Sequence, residues 1–177
     1  MARDDQWKLD PRTEIGHVHL KVADLERAVA FYRDVLGFDV TARLGGQAAF
    51  LSAGGYHHHI GLNTWESRGG GPPPRDSTGL YHVAIRYPTR AALGRALRRL
   101  SEHRHPIDGA ADHAVSEAVY LRDPDGNGIE LYWDRPEAEW PRGAGGEVLM
   151  TVDPLDVEGL LAAADEGSAG DADEAAG

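Results

Sequence analysis

The sequence predicts an α+β chain in which one βα-type module is written twice, and three observations carry that prediction. The segments Gly16-His17-Val18-His19-Leu20-Lys21-Val22 and Tyr81-His82-Val83-Ala84-Ile85-Arg86-Tyr87 echo one another, each opening a β-type run with a histidine. Each run leads into a helix-like stretch, and the two histidines lie 65 positions apart, as an internal duplication would place them. The stretch Asp123-Pro124-Asp125-Gly126-Asn127-Gly128-Ile129-Glu130-Leu131-Tyr132 then closes the second copy with a glutamate inside another strand.

Element by element, residues 1–13 are polar and read as an N-terminal arm, followed by a first strand over His17–Val22. Asp24 can cap the next helix, whose apolar Leu25, Ala28, Val29, Tyr32, Val35 and Leu36 recur at helical spacing. Gly37 stops it. Three short strands follow, over Phe38–Leu44, Gln47–Ser52 and His57–Asn63. These complete a first module over 14–65, and the glycines and prolines of 66–78 mark a linker. The second module, 79–135, repeats the order: strand Tyr81–Tyr87, a helix from cap Thr89 to about Glu102, a short strand near 106, then Glu117–Arg122 and Gly128–Asp134 as a hairpin around Asp123-Pro124-Asp125-Gly126. Residues 136–177 form an acidic extension with a short helix, Val157–Ala164, capped by Asp156, and an end expected to be disordered.

Composition narrows the function. The net charge is -11, but residues 136–177 hold 11 acidic residues against Arg142 alone, so the modules are nearly neutral. No basic face invites nucleic acid, no apolar run is long enough to span a bilayer, and no secretory leader is recognisable; the expected location is the cytoplasm. The absence of cysteine excludes disulfides, zinc ribbons and thiol nucleophiles.

The residue types point to a metal. His17 and His82 at equivalent repeat positions, with Glu130, are two imidazoles and one carboxylate on rigid strands, the donor set of a facial triad that leaves coordination positions open. A carboxylate between Ile129 and Leu131 on a buried strand needs a cation or partner to offset its desolvation. His19 shares a face with His17; it lines a pocket or serves as a structural group. His103 and His105 flank a helix end and suit dipole or surface roles.

Both modules resemble the βαβββ unit of the vicinal oxygen chelate superfamily, which includes glyoxalase I, bleomycin-resistance proteins and type I extradiol dioxygenases; Asp24-Leu25-Glu26-Arg27-Ala28-Val29-Ala30-Phe31-Tyr32-Arg33-Asp34-Val35-Leu36-Gly37-Phe38 is similar to its first helix. The resemblance covers about residues 14–134 and implies paired modules whose mixed sheet curls into a cup around the metal. Within the superfamily, the extradiol pattern matches His113, five residues, Val119-Tyr120, Leu121-Arg122, Asp123-Pro124, Asp125-Gly126, then Glu130, with Ala111 as one departure. That match implies His17, His82 and Glu130 as ligands of Fe(II), with Mn(II) as the alternative, and His113 and Tyr120 as groups that bond the substrate oxygens. The run His57-His58-His59 matches a His-His feature in which one residue is the acid–base catalyst; the role falls on His58, although strand alternation does not settle which of the three faces the cup.

The implied activity is ring cleavage of a catechol-type aromatic diol with O2, in a homodimer. The rivals on the same fold are a glyoxalase-like isomerase or lyase, an antibiotic-resistance transferase and a drug-sequestering binding protein. The isomerases supply a fourth ligand, a glutamate, where this chain has Gly61.

Overall fold

Both copies of the echo fold alike. A computed structural model describes residues 7–74 and 76–174, with side chains as far as 165. Parts of the expected arm (1–6), linker (75) and extension (175–177) lie outside the described residues. The first module runs β1 (Val18–Lys21), α1 (Leu25–Ala30), β2 (Asp39–Leu44), β3 (Ala48–Ser52) and β4 (Ile60–Asn63). The second runs β5 (Val83–Arg86), α2 (Arg90–Glu102), β6 (Ile107–Asp112), β7 (Ser116–Arg122) and β8 (Gly128–Asp134). The sheet orders match: β1-β4-β3-β2 and β5-β8-β7-β6, with β9 (Asp153–Pro154) of the extension added outside β6. In both, the first strand is parallel to the last and the rest are antiparallel. Even the irregularities repeat, since β2 slips register between Val40 and Ala42 and β6 between Ile107 and Gly109. This is the expected α+β fold of two βαβββ modules.

Alternation sorts each strand into two faces. Leu20 and Val22, Leu51 and Ile60, Ile129 and Leu131 turn into one continuous core with Leu25, Val29, Leu93, Leu97 and Leu100 of the helices. The opposite, open face carries His19 opposite Gly61, and Glu130 between Ala84 and Tyr120. Burying each large core side chain stabilises the fold by about 1.5–3 kcal/mol.

Capping follows the sequence closely. Asp24 accepts from Arg27 N and Thr89 from Ala92 N, each an N-cap in extended conformation. The first helix ends differently from the regular helix expected. Its last turn, Phe31–Val35, widens to a π-turn in which Leu36 N donates to Phe31 O, and Gly37 leaves it at φ +86°. Tyr32, in that turn, is fully buried and donates to Asp123 Oδ2 at 3.1 Å. Burial, then the Asp123 charge, pushes its hydroxyl well above the usual tyrosine range.

The Asp123-Pro124-Asp125-Gly126 turn does more than close its hairpin. Asp123 also accepts from Asp125 N, Asn127 N and Asn127 Nδ2, each within 2.9 Å, while Asp125 Oδ1 accepts from Ala23 N and Arg27 Nη2. One turn of the second module is thereby bonded to the first helix of the first.

The acidic extension is docked on the second module. Its helix α3 runs Val157–Glu174, longer than the Val157–Ala164 expected and into the stretch read as disordered. Asp156 Oδ1 accepts from Gly159 N, as a cap should. Leu160 and Ala164 are buried, and Arg90 and Arg98 of α2 donate to Gly159 O and Leu161 O. The apolar Leu155, Leu160, Leu161 and Ala164 supply the contact that net charge conceals. No helix among the described residues is long and apolar enough to cross a membrane.

Candidate active site

On the open face of the second module, the register of β5, β8 and β7 lines up a row of polar groups. Glu130 pairs with Ala84 on one side and Tyr120 on the other, and His82 lies two residues before Ala84. His82 Nε2 stands 3.0 Å from Glu130 Oε2, Tyr120 donates to Glu130 Oε1 at 3.1 Å, and His113 Nε2 lies 2.6 Å from the Tyr120 hydroxyl. Burial, then the Glu130 carboxylate, pushes the Tyr120 hydroxyl up to about 12, so it stays protonated across the neutral range. His113, Tyr120 and His82 line a cavity of about 380 Å³ with Tyr81 and Val152 at its walls.

His113 sits in the turn between β6 and β7 and is gripped at several atoms. Its N donates to Ser116 O, its carbonyl accepts from Thr151 N, and Nδ1 lies 2.8 Å from Thr151 O. Ala114 beside it is held at φ +66°, a conformation that a residue with a Cβ adopts at a cost of about 1–3 kcal/mol. The carboxylate of Asp112 accepts from Ala114 N and from Arg135, which also pairs with the buried Glu117. Strain in this turn is therefore sustained by a network of charged hydrogen bonds.

The first module organises its histidines through ring contacts. His17 and His58 approach to 4.4 Å between centroids, and His58 also lies 5.0 Å from Phe50. His57 Nδ1 and His58 Nδ1 are 2.7 Å apart, one donating and the other accepting. His59 is turned elsewhere: its Nδ1 is 3.0 Å from Ser52 Oγ and accepts from Ala53 N. Of the three consecutive histidines, His58 is the one whose ring meets His17. Burial, then the neighbouring His17 and His57, lowers its basicity below that of an ordinary histidine. His19 lies between Phe50 and Trp65, above Gly61, and burial lowers its basicity as well.

Two clusters thus emerge, His82–Glu130–Tyr120–His113 and His17–His58–His57. Among the described residues no three His, Asp or Glu side chains meet at metal-holding distances. The donors nevertheless suit a cation. Metal–ligand bonds of about 2.1 Å place neighbouring ligands at right angles about 3 Å apart, and His82 Nε2 and Glu130 Oε2 are 3.0 Å apart. His17 immediately precedes β1 as His82 precedes β5, and a cavity of about 520 Å³ between these edge strands is lined by His17, Val18 and Val83–Arg86.

Sequence reasoning passed over Phe50, whose ring contacts His58 and His19, and the Thr151 carbonyl. Phe50 alternates outward between the core residues Ala49 and Leu51, which was a usable signal. A backbone carbonyl carries none; only the apolar run Val148-Leu149-Met150 in an otherwise acidic segment hints that the extension returns to the fold. Of the tryptophans, Trp65 contacts His19, while Trp133 packs on the core and Trp140 donates to Arg135 O.

Comparison with known proteins agrees with this architecture. The chain is 47% identical over 150 residues to a catechol-2,3-dioxygenase of Bacillus subtilis (strain 168), covering 84% of this chain and 51% of that one. It is 32% identical to biphenyl-2,3-diol 1,2-dioxygenase 3 of Rhodococcus globerulus, over 68% of this chain and 63% of that one. The chain therefore spans between half and two thirds of the length of these relatives. A glyoxalase/dioxygenase structure from Nostoc punctiforme superposes with a TM-score of 0.61 at 22% identity, over 74% of this chain and 99% of that one, a likeness of fold. The sequence profile of the Glyoxalase/Bleomycin resistance protein/Dioxygenase superfamily matches residues 14–131. With the duplicated βαβββ sheets and that match, the chain belongs to the Glyoxalase/Bleomycin resistance protein/Dioxygenase superfamily.

Proposed function

We propose that the protein is an extradiol dioxygenase that opens the ring of a catechol-type diol with O2. The observation that carries this reading is the continuous row His82–Glu130–Tyr120–His113, of which His82, Tyr120 and His113 line a cavity. His17, His82 and Glu130 would hold a divalent cation, Fe(II) first and Mn(II) second, through two neutral imidazoles and a carboxylate. Such a cation supplies the meeting point for the diol oxygens and dioxygen, and the electron transfer between them.

The chain's own groups would handle protons and charge. His58, kept neutral by burial and by its histidine neighbours, would accept a proton from a diol hydroxyl and later return one. Its Nδ1 is engaged with His57, so Nε2 is the atom for that transfer. Tyr120 and His113 would bond the substrate oxygens, Tyr120 by donating to the negative charge that develops and His113 by accepting a hydroxyl proton at Nε2. Glu130 keeps Oε1 for the Tyr120 hydroxyl while Oε2 faces His82, which fixes the carboxylate's orientation.

The isomerase reading is disfavoured by Gly61. A Cβ added there would come within 2.9 Å of the His19 ring, so the glutamate that reading needs would have to displace His19. The same proposal includes a cytoplasmic homodimer, for which the exposed Ile15, Leu80 and Met150 offer apolar surface to a second copy.

Oxygen uptake and coloured product formation by anaerobically Fe(II)-reconstituted protein, over a panel of substituted catechols, test the reading. A yellow ring-opened product with matching oxygen consumption, absent in Glu130→Ala, is the expected result. Stoichiometric metal without turnover of any catechol would overturn it in favour of the isomerase or transferase branch.

A further inference from the structure

The family match ends at residue 131, yet the chain beyond it reaches back to the site. Thr151, in the strand-like stretch before β9, bonds His113 twice: its N donates to His113 O at 3.2 Å, and its carbonyl lies 2.8 Å from His113 Nδ1. A carbonyl only accepts, so Nδ1 must carry the hydrogen, and a neutral His113 then presents the lone pair of Nε2 to the Tyr120 hydroxyl, whose single proton goes either there or to Glu130 Oε1. The next residue, Val152, lines the cavity with His113 and Tyr120. Pairing of Ala111 and Asp112 with Pro154 and Asp153 holds this stretch in register. Packing of Leu160 and Ala164 against α2, with Arg90 and Arg98 on the carbonyls of α3, anchors it from behind.

We propose that the C-terminal extension is a positioning element of the active site: the Thr151 backbone fixes the tautomer and orientation of the His113 ring, and Val152 completes the cavity wall. This rests on the dioxygenase reading for its consequence in catalysis, but the ring itself can be observed without turnover. Thr151 touches no reacting atom and acts through His113, while Val152 bounds the cavity.

The lever that tests it lies away from the site. Gly94 of α2 lies directly beneath Leu160, and a Cβ there would collide with the Leu160 carbonyl and crowd Ala164. Gly94→Val should therefore lift α3, while Thr151→Pro removes the N–H bonded to His113 O. In the full-length, metal-free protein, long-range 1H–15N correlations of the His113 ring, assigned by their loss in His113→Gln, report the tautomer directly. The expected result is a single Nδ1–H tautomer in the wild type and a mixture rich in Nε2–H in both variants. On Fe(II) loading, kcat should fall about tenfold in the variants at equal metal content, with KM changed less than twofold. An Nε2–H ring in the wild type, or variants that fold and keep the wild-type ring pattern, would overturn the proposal. If one variant fails to fold, the other decides. Absence of turnover in the wild type would sink the dioxygenase reading, and the ring pattern would still decide the positioning role.

Discussion

The two modules share strand order, helix placement and even a β-bulge, yet they hold their polar side chains in different ways. In the second module His82, Glu130, Tyr120, His113 and the Thr151 carbonyl form one hydrogen-bonded row. In the first, His58 meets His17 and Phe50 through ring contacts and, among the described residues, bonds only the exposed His57, and His17 stays exposed as well. Hydrogen bonds of this kind set direction and tautomer, whereas ring contacts, worth about 0.5–1.5 kcal/mol each, set neither the tautomer nor a donor direction. Duplication of a fold therefore did not duplicate a site: hydrogen bonds orient the polar side chains of the second half, and those of the first are held more loosely.

The contrast can be broken or sharpened by substitution. Glu130→Ala removes the hub of the row and a proposed ligand together. Turnover of Fe(II)-reconstituted protein should drop by at least about 1,000-fold, near 4 kcal/mol of barrier, and metal retained after gel filtration should fall with it. Asp123→Ala attacks the bond between modules. Loss of a buried carboxylate that accepts four hydrogen bonds should lower stability by about 3 kcal/mol in a urea titration; a loss below 1 kcal/mol would mean that the shared core and the Asp125 bonds hold the modules without it.

His58→Ala tests the looser half. It should reduce kcat about 100-fold with little change in stability or metal content, because the ring is only half-buried and meets its neighbours tilted or edge-on. Tyr120→Phe tests the ordered half more gently, cutting the row between His113 and Glu130 while keeping the ring. A fall in kcat of about tenfold at unchanged metal content is expected, and equal turnover would show that the row is not used.

The last effect concerns alkali and lies outside the site. Burial pushes the Tyr87 hydroxyl up to about 12, so the folded chain keeps a proton that the unfolded chain releases near 10. Its contribution to stability is complete below pH 10 and is lost as pH rises from 10 toward 12, by on the order of 2 kcal/mol. Thermal unfolding from pH 9 to 11.5 should show a shallower decline for Tyr87→Phe than for the wild type.

Much of this was legible in the residues, and the exceptions have physical causes. Helix caps at Asp24 and Thr89, the Gly37 stop and the β7–β8 hairpin depend on local chemistry, and local chemistry is written in a few adjacent letters. The π-turn at Phe31–Val35 was not legible, since it accompanies burial of Tyr32 against a turn 91 residues away. The strand at Ile107–Asp112 was read only as a short strand near 106 because its Gly109, Ala110 and Ala111 lack strong β-type side chains; pairing with β7 makes it a strand. Glu130 could be named from its place on an apolar strand, and Tyr120 and His113 through the resemblance to the extradiol pattern, but their bonding into one row needed the register that sets Tyr120 opposite Glu130.

By itself the sequence determined the duplication, the βαβββ order and the residue types of the site, because periodicity, caps and turns act over short distances along the chain. Only the tertiary structure decided that the Asp123–Asp125 turn ties the modules together, that His58 and not His59 meets His17, and that a carbonyl from an acidic extension reaches His113. Those outcomes depend on which surfaces pack and in what register, and no one segment carries that information.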